Sequence, residues 1–296
     1  TVIRAGDTTR EKLREFPVGG LIYFSHNIQD EAQLTEMLQN TQNFQGPMFL
    51  GIDEEGGIVS RIADSGLAEN VGSAADIAAS GDVQAARDAG SAIGGYLSKY
   101  GFNVDFAPVA DVIEEENAFI GERSFGSDTA QTASMAAAFV EGIQGSGVSA
   151  CMKHFPGIGD TTEDMHDGKV SSEKTIENFT EKDFPVYQAG IAAGVDFIMV
   201  SHLSVPGVTG DDTPCSLSEK MITEILRGQL GYQGIVITDA MDMKAITDYY
   251  EPGEAAVKAI AAGADMILMP DDFQEAYNSV LEAVNNGTLS VARIDE

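Results

Sequence analysis

Short apolar stretches alternate with helical patterns along the whole chain. Seven stretches are rich in Val, Ile, Phe and Met and are too short for helices, namely residues 18–24, 48–52, 104–107, 148–155, 197–200, 235–238 and 266–269. Because they are apolar throughout, we predict that they form strands of a parallel sheet covered on its faces. The pattern therefore indicates an α/β protein.

Amphipathic segments between these strands support this interpretation. Two have apolar residues at helical spacing: Val83, Ala86, Gly90, Ile93 and Leu97 in the first, and Ile222, Ile225, Leu226 and Leu230 in the second. Residues 192–199 and 261–268 both show the end of a helix, a glycine and then a buried strand. We infer that one βα unit is used repeatedly.

Seven βα units spread over 296 residues fit a (β/α)₈ barrel of roughly 250 residues with insertions better than an open sheet. An eighth strand is missing from this pattern, and we expect it either before Thr1 or within residues 56–80. A doubly wound sheet is the alternative, but no G-x-G-x-x-G follows an early strand. No linker divides the chain, so we predict a single domain over residues 1–296.

Ionisable residues concentrate where the predicted strands end, which is where the chemistry of a barrel lies. All four histidines lie at such positions: His26, His154, His166 and His202. Further charged residues at strand ends are Asp53, Asp105, Asp111, Lys153 and Asp239. This distribution predicts a catalytic mouth at the carboxyl edge of the sheet.

These positions differ in how specifically they indicate function. Asp105 and Asp111 are typical of carboxylates that cap a turn or bind backbone amides, and His26 is typical of a plain loop residue. Lys153 and His154 lie inside a strand, where a charge is costly unless it is paired or used. Asp239 could simply cap the helix that follows it, but we favour a role as a nucleophile, a general base or a metal ligand.

A long polar loop follows the fourth strand and contains Asp164 and His166. They are two positions apart in the chain, so a curled loop would bring the carboxylate against the imidazole. Such a contact fixes the tautomer of a histidine and stabilises its protonated form. A D-x-H pair alone is weakly specific.

Charge and cysteine content limit the classes of partner. Seventeen Lys and Arg oppose 47 Asp and Glu, and the net charge of −30 disfavours nucleic acid and anionic lipid surfaces. Cys151 and Cys215 could form at most one disulfide, and the apolar setting of Cys151 favours a buried thiol. No stretch approaches the roughly 20 apolar residues of a membrane span. The absence of Met at Thr1 leaves a longer parent chain, a removed signal segment and the compartment open.

Several segments together resemble glycoside hydrolase family 3, in its bacterial β-N-acetylglucosaminidase branch. Residues 153–166, KHFPGIGDTTEDMH, are similar to the signature K-H-F-P-G-H-G-D-T-x-x-D-S-H. Further similarity lies in GIDEEGGIVSR (51–61), NVDFAPVADV (103–112), RSFG (123–126) and TDAMDM (238–243). The resemblance covers nearly the whole chain in order, although the family's first strand is not recognisable.

The resemblance implies a retaining glycosidase that releases terminal β-linked N-acetylglucosamine from muropeptide- or chitin-derived saccharides, without a cofactor or metal. Asp239 aligns with the nucleophile, and His166 with Asp164 aligns with an unusual acid/base pair. The positions that hold sugar hydroxyls are Asp53, Arg61, Arg123, Lys153 and His154, with Arg61 the least secure. Departures from the signatures are Glu54 for Gln, Ile158 for His, Met165 for Ser and Ala240 for Asp.

Four other functions remain as alternatives. The first is a β-glucosidase of the same family, but that branch does not carry the D-x-H loop that this chain has. The second is a metal-dependent hydrolase with Lys153, His202 and Asp239 as ligands, but this sequence has no H-x-H on an early strand. A sugar-binding protein without activity is the third. Transfer to phosphate instead of water is the fourth, because a neutral imidazole repels an anion less than a carboxylate does. The aglycone and the oligomeric state stay open.

Overall fold

The computed structural model describes residues 5–115 and 118–296. Nine strands lie in this part of the chain: β1 (Gly20–Tyr23), β2 (Phe49–Ile52), β3 (Glu54–Gly56), β4 (Val59–Ser60), β5 (Val104–Asp105), β6 (Ser149–Phe155), β7 (Phe197–Val200), β8 (Ile235–Ala240) and β9 (Met266–Leu268). Every predicted strand is present, with boundaries that differ by up to two residues.

Helices follow most strands. Those in the described ranges are α1 (Asp7–Glu15), α2 (Glu31–Gln45), α3 (Arg61–Asp64), α4 (Ala74–Ala79), α5 (Val83–Tyr100), α6 (Thr129–Gln144), α7 (Ile176–Lys182), α8 (Phe184–Ala192), α9 (Pro206–Thr209), α10 (Lys244–Thr247), α11 (Pro252–Ala262), α12 (Phe273–Asn285) and α13 (Val291–Asp295). Three 3₁₀ turns span Ser25–Asn27, Gly121–Arg123 and Cys215–Leu217. The amphipathic segment predicted around Ile222 is a π-helix, Lys220–Gln229.

Seven strands form one curled parallel sheet in the order β1-β2-β5-β6-β7-β8-β9, with helices around it. Each strand pairs with the next in the sheet, as repeated βα units require. The barrel-type α/β fold is therefore confirmed, with seven strands in the described residues. The repeat is confirmed as well, since Gly194 and Gly263 adopt left-handed φ of 79° and 115° just before β7 and β9.

Large apolar side chains line the inside of the curled sheet. Phe49 and Phe197 meet edge to face with ring centroids 5.1 Å apart. Phe106 lies against Gly51, where an added Cβ would come within 2.7 Å of its ring. Each side chain of this size contributes roughly 1.5–3 kcal/mol when it is fully buried. These contacts connect neighbouring strands, although the same side chains also border an open cleft.

Residues 56–80 do not supply an eighth strand to this sheet, and that expectation was wrong. Gly56 and Gly57 adopt φ of 90° and 60°, so the chain reverses at once. Val59–Ser60 then pairs antiparallel with Glu54–Gly56 in a separate hairpin. The short helices α3 and α4 occupy the rest of the segment. Because of this tight turn, these residues lie at the mouth of the sheet and do not pair with its strands.

An apolar cleft separates the two edge strands. Its volume is about 700 Å³, and it is lined by residues of β1, β9, the sheet interior and α12. Leu281 on α12 is 50% exposed and Ile294 is 48% exposed. We refer to this feature, bounded by Gly19–Ile22, Met266–Met269 and α12, as the edge cleft.

Both cysteines are buried free thiols, as the apolar setting of Cys151 predicts. Burial raises the pKa of each thiol well above its ordinary value. Within the described ranges, no helix combines the length and the apolar content that a membrane span requires.

Candidate active site

Two irregular strands bring the charged residues to the carboxyl edge of the sheet. In β6, three steps from Met152 to Phe155 oppose two steps in β7, and in β8, three steps from Ile237 to Ala240 oppose two in β9. An extra residue of this kind redirects side chains locally. Lys153 and His154 lie in the first irregularity, and Asp239 lies in the second.

Asp239 is a partly buried carboxylate that is held in its charged form. Burial alone would raise its pKa, but the imidazoles of His154 and His202, the Ala240 N–H and the ammonium of Lys153 outweigh burial and lower it. The Ala240 N–H donates to Asp239 Oδ1 at 2.7 Å. An ionised carboxylate at this position can act as a nucleophile.

A network of alternating charges lies beside Asp239. Lys153 Nζ is 2.8 Å from Asp53 Oδ1 and 2.6 Å from Glu55 Oε1. Arg123 donates twice to Glu55, from Nε and from a terminal nitrogen, each at 2.8 Å. Two cations and two carboxylates compensate one another, which makes their burial tolerable.

The electrostatics of this network follow from burial and pairing. Burial opposes the charge of Glu55, but Lys153 and Arg123 outweigh it and lower the pKa of Glu55 to about 2. Burial would also lower the pKa of Lys153, but Asp53 and Glu55 raise it above its ordinary range. Glu55 and Lys153 are therefore charged at neutral pH.

His154 is fixed by a carboxylate behind it. Its Nδ1–H donates to Asp111 Oδ2 at 2.8 Å, and the Ile158 N–H donates to Asp111 Oδ1 at 2.9 Å. Asp111 thus binds both a backbone amide and an imidazole, and Asp105 accepts from the Glu54 N–H at 3.0 Å. The structural roles expected for these two aspartates are present. The peptide between Lys153 and His154 is cis.

The loop after β6 brings Asp164 and His166 into contact. His166 Nδ1 donates to Asp164 Oδ1 at 2.7 Å, and the His166 backbone N–H donates to the same oxygen at 2.8 Å. The imidazole remains 66% exposed. Because Nδ1 is engaged, Nε2 is the nitrogen available for proton exchange with a bound molecule.

This loop is docked against the segment that follows Asp239. The Ala245 N–H donates to the Met165 carbonyl at 3.2 Å, and Met165 and Ile158 are buried. The charge of His166 influences the pKa values of His202 and Asp242, which flank Asp239. His166 therefore lies at the same mouth as the carboxylate.

The remaining sequence-predicted residues are less closely engaged. Arg61 lies 4.0 Å from Asp53 Oδ2 at the start of α3, so it borders the network. His26 is exposed and stacks on Phe24 with ring centroids 5.6 Å apart, as expected of a loop residue. The structure thus brings Asp53, Arg123, Lys153, His154 and Asp239 together, with Arg61 at the edge and His166 on the docked loop.

One residue at the site is not singled out by the sequence. Glu55 lies within a matched motif, but its pairing with Arg123 spans 68 positions in the chain. His202 lies at the mouth, as the sequence predicts for all four histidines. Its Nε2 donates to the Ala240 carbonyl at 2.9 Å and its Nδ1 is 2.7 Å from Ser216 Oγ, so both nitrogens are occupied within the protein. Lys153 is likewise engaged by carboxylates, and no group of three possible metal ligands occurs in the described residues.

The chain belongs to a known family of glycoside-cleaving proteins. Residues 2–296 match the glycosyl hydrolase family 3 N-terminal domain. A β-hexosaminidase A of Pseudoalteromonas piscicida is 34% identical over 88% of this chain, and a β-N-acetylglucosaminidase/β-glucosidase of Cellulomonas fimi is 31% identical over 96%. The chain spans about half the length of these two curated relatives, 47% and 51%.

Solved structures agree with this assignment. The fold superimposes with a TM-score of 0.93 on a family 3 β-N-acetylglucosaminidase from Paenibacillus sp. str. FPU-7. That chain is 36% identical in sequence, and the superposition covers 99% of this chain and 57% of the other.

Proposed function

We propose that this chain carries the catalytic site of a retaining β-N-acetylglucosaminidase that forms a covalent glycosyl-enzyme on Asp239. The observation that carries this proposal is the Asp239 carboxylate in the irregular end of β8, which accepts from the Ala240 N–H at 2.7 Å and whose pKa the imidazoles of His154 and His202 help to lower against burial. The names of the family 3 relatives support N-acetylglucosamine as the sugar. We further propose that residues 1–296 act as one catalytic domain.

In the first half-reaction, Asp239 attacks the anomeric carbon and the bond to the leaving oxygen breaks. His166 donates a proton from Nε2 to that oxygen, while Asp164 stabilises the orientation of the ring and its positive charge. The sugar is then linked to Asp239 as an ester of inverted configuration.

In the second half-reaction, water attacks the same carbon and His166 accepts its proton. The bond to Asp239 breaks, the carboxylate is restored, and two inversions give net retention. His166 is thereby returned to its protonated form, so one imidazole serves as acid and then as base.

The buried charge network supplies the sugar contacts in this proposal. Asp53 accepts hydrogen bonds from sugar hydroxyls, and Lys153, Arg123 and His154 donate to hydroxyl oxygens. Charge-assisted hydrogen bonds of this kind are short and directional, so they orient the ring for attack. Arg61 is expected to contribute less, because it lies at the edge of the network.

The partner we propose is a saccharide with terminal β-linked N-acetylglucosamine, such as a muropeptide or a chitin fragment. The net charge of −30 disfavours nucleic acid as a partner.

The proposal is tested by release of an aryl group from a β-N-acetylglucosaminide and from the matching β-glucoside. We expect turnover of the N-acetyl substrate, loss of that turnover in Asp239→Ala, and retention in Asp248→Ala. Asp248 is a matched control because it is an exposed aspartate that follows the same strand. Equal activity of wild type and Asp239→Ala would contradict the proposal.

Added components distinguish the alternatives in the same assay. Faster turnover of the glucoside would identify a β-glucosidase. A glycosyl phosphate as product in phosphate buffer would identify phosphate as the acceptor. Loss of activity on chelation would favour the metal-dependent reaction, and tight sugar binding without turnover would favour a binding protein.

A further inference from the structure

The irregularity in β8 changes the hydrogen bonding of the residue that follows Asp239. Leu268 donates its backbone N–H to the hydroxyl of Thr238 at 3.1 Å. Such an extra residue disrupts the ladder locally and leaves peptide groups to find other partners. The backbone N–H and the carbonyl of Ala240 both have hydrogen-bond partners near the nucleophile.

A chain of hydrogen bonds runs from β7 to the Asp239 carboxylate. His202 follows β7 by two residues, and its Nε2 donates to the Ala240 carbonyl at 2.9 Å. That carbonyl also accepts from the Met243 N–H at 3.2 Å. The Ala240 N–H, which lies in the preceding peptide group, donates to Asp239 Oδ1 at 2.7 Å. Residues Val200 and Thr238 are paired in the sheet, so His202 and Ala240 lie opposite each other two positions further on.

The geometry determines the tautomer of His202. A carbonyl can only accept, so Nε2 carries a proton. Burial lowers the pKa of His202, against the opposing influence of the Asp239 carboxylate, so the ring is neutral and Nδ1 accepts the hydrogen bond of Ser216. Both His202 and Ser216 are fully buried, which prevents water from replacing either contact.

The charged groups around this pair are few. Asp239 is influenced by His154, His202 and Lys153. His202 is influenced by Asp239, by His166 on the docked loop and by Asp242 after β8.

We propose that His202 is a positioning residue for the nucleophile: by binding the Ala240 carbonyl it fixes the backbone at Ala240, and this keeps the N–H of the preceding peptide group directed at the Asp239 carboxylate. Ser216 completes the arrangement by keeping the ring in the tautomer that donates from Nε2. The inference rests on the proposed function, since it assumes that Asp239 is the nucleophile. His202 itself need not touch the substrate.

The test compares His202→Leu with His202→Gln. Leu has no donor, whereas the Gln amide can donate to the Ala240 carbonyl from nearly the same place. For His202→Leu we expect kcat to fall about 100-fold, as for a misplaced reacting group, with KM within about threefold of wild type. His202→Gln should restore most of kcat.

The pH profile separates positioning from a general loss of structure. When the Ala240 carbonyl is no longer held, the Ala240 N–H is less well directed and stabilises the carboxylate less. The acid limb of kcat/KM should therefore move to higher pH in His202→Leu and stay in place in His202→Gln. Cys215→Ala is the matched control, because Cys215 is equally buried next to Ser216. It should lower thermal stability without moving the limb. An unmoved limb in His202→Leu would overturn the inference.

A measurement on the wild type tests the inference independently of activity. Long-range ¹H–¹⁵N spectra of the imidazoles should show His202 as the neutral Nε2–H form at neutral pH. A protonated ring or the Nδ1–H form would overturn the inference. If the wild type is active, Asp239→Ala is inactive and the acid limb of His202→Leu is unchanged, the positioning role is rejected while the proposed function stands. Absence of wild-type turnover would reject the proposed function, and with it the role of His202 as its positioning residue.

Discussion

At the scale of single residues, compensation of charge explains how a deeply buried site exists. Lys153 is 3% exposed and its partner Glu55 is 4% exposed, so neither charge is stabilised by water. Removing one member of a buried pair costs about 3–5 kcal/mol, because the other is left uncompensated. The same groups that would bind a sugar therefore also contribute strongly to stability.

Glu55→Gln should lower the free energy of unfolding by about 3–5 kcal/mol at neutral pH. Denaturant unfolding measures this loss. Glu141→Gln breaks the exposed Arg87–Glu141 pair and is the control, with an expected loss of about 0–1 kcal/mol. Equal losses in the two variants would contradict the proposed strength of the buried network.

The pH dependence of the same variant has a defined sign. The folded-state pKa of Glu55 is about 2, below its ordinary value of 4.5. A lowered carboxyl pKa contributes stability that is fully present above about 4.5 and is lost as the pH falls towards about 2. The difference in unfolding free energy between wild type and Glu55→Gln should therefore shrink over this interval. A difference that grows on acidification would show that the pKa is not lowered.

His166→Ala should slow turnover of an N-acetylglucosaminide with a poor leaving group by about 10²–10⁴-fold. Aryl substrates with good leaving groups should lose much less in glycosylation, because their departure needs little proton donation. The measurement is kcat/KM across a series of leaving groups. His26→Ala is the control, since His26 is an exposed loop histidine stacked on Phe24. Equal losses across the series would reject the acid role of His166.

At the scale of elements, the loop after β6 is tied down at its base. Ser172 donates its hydroxyl to Asp160, which joins the two sides of the loop. Lys174 contacts Glu114, from the segment after β5, and the fully buried Asp183 at the start of α8. Burial would lower the pKa of Lys174, but these two carboxylates raise it. His166 is thus presented from a loop whose ends cannot separate freely.

Lys174→Met should destabilise the protein by about 3–5 kcal/mol, because Asp183 is left buried without a cation. Adding Asp183→Asn should recover part of the loss, since the uncompensated charge disappears. Both are measured by denaturant unfolding. Lys169→Met is the matched control in the same loop, where the pair with Asp212 is largely exposed and should contribute about 0–1 kcal/mol. Additive losses in the double variant would contradict the coupling of Lys174 and Asp183.

At the scale of the whole molecule, the curled sheet has two open edges and the edge cleft between them. Partly exposed apolar residues line the cleft on α12 and α13. A contiguous apolar surface of this kind binds hydrophobic molecules and promotes association. The high negative charge of the chain acts against self-association, because like-charged copies repel one another.

Leu281→Glu combined with Ile294→Glu should reduce binding of a fluorescent hydrophobic dye severalfold and reduce any association seen on sedimentation. Ile58→Glu is the control, because Ile58 is 64% exposed but lies in the hairpin at the mouth. Dye binding that persists in the double variant would show that the edge cleft is not the binding surface.

Much of this architecture could be predicted because its signals are local. Apolar runs such as 197–200 and glycines such as Gly194 determine strands and helix ends over a few residues. Position after a strand then places Asp53, Lys153 and Asp239 at the mouth, since parallel strands share one carboxyl edge. The contact of His166 with Asp164 is local as well, because the two residues are only two positions apart.

Long-range packing determined the features of the site that no local pattern predicts. The amino-acid sequence alone determined the parallel α/β repeat, the order of the strands and the edge that carries the ionisable residues. Only the tertiary structure decided that residues 54–60 form a separate hairpin, that Glu55 binds Arg123, and that His202 binds Ala240. The physical reason is that strand irregularities and buried charge pairs depend on neighbours dozens of residues away, whose positions no local pattern specifies.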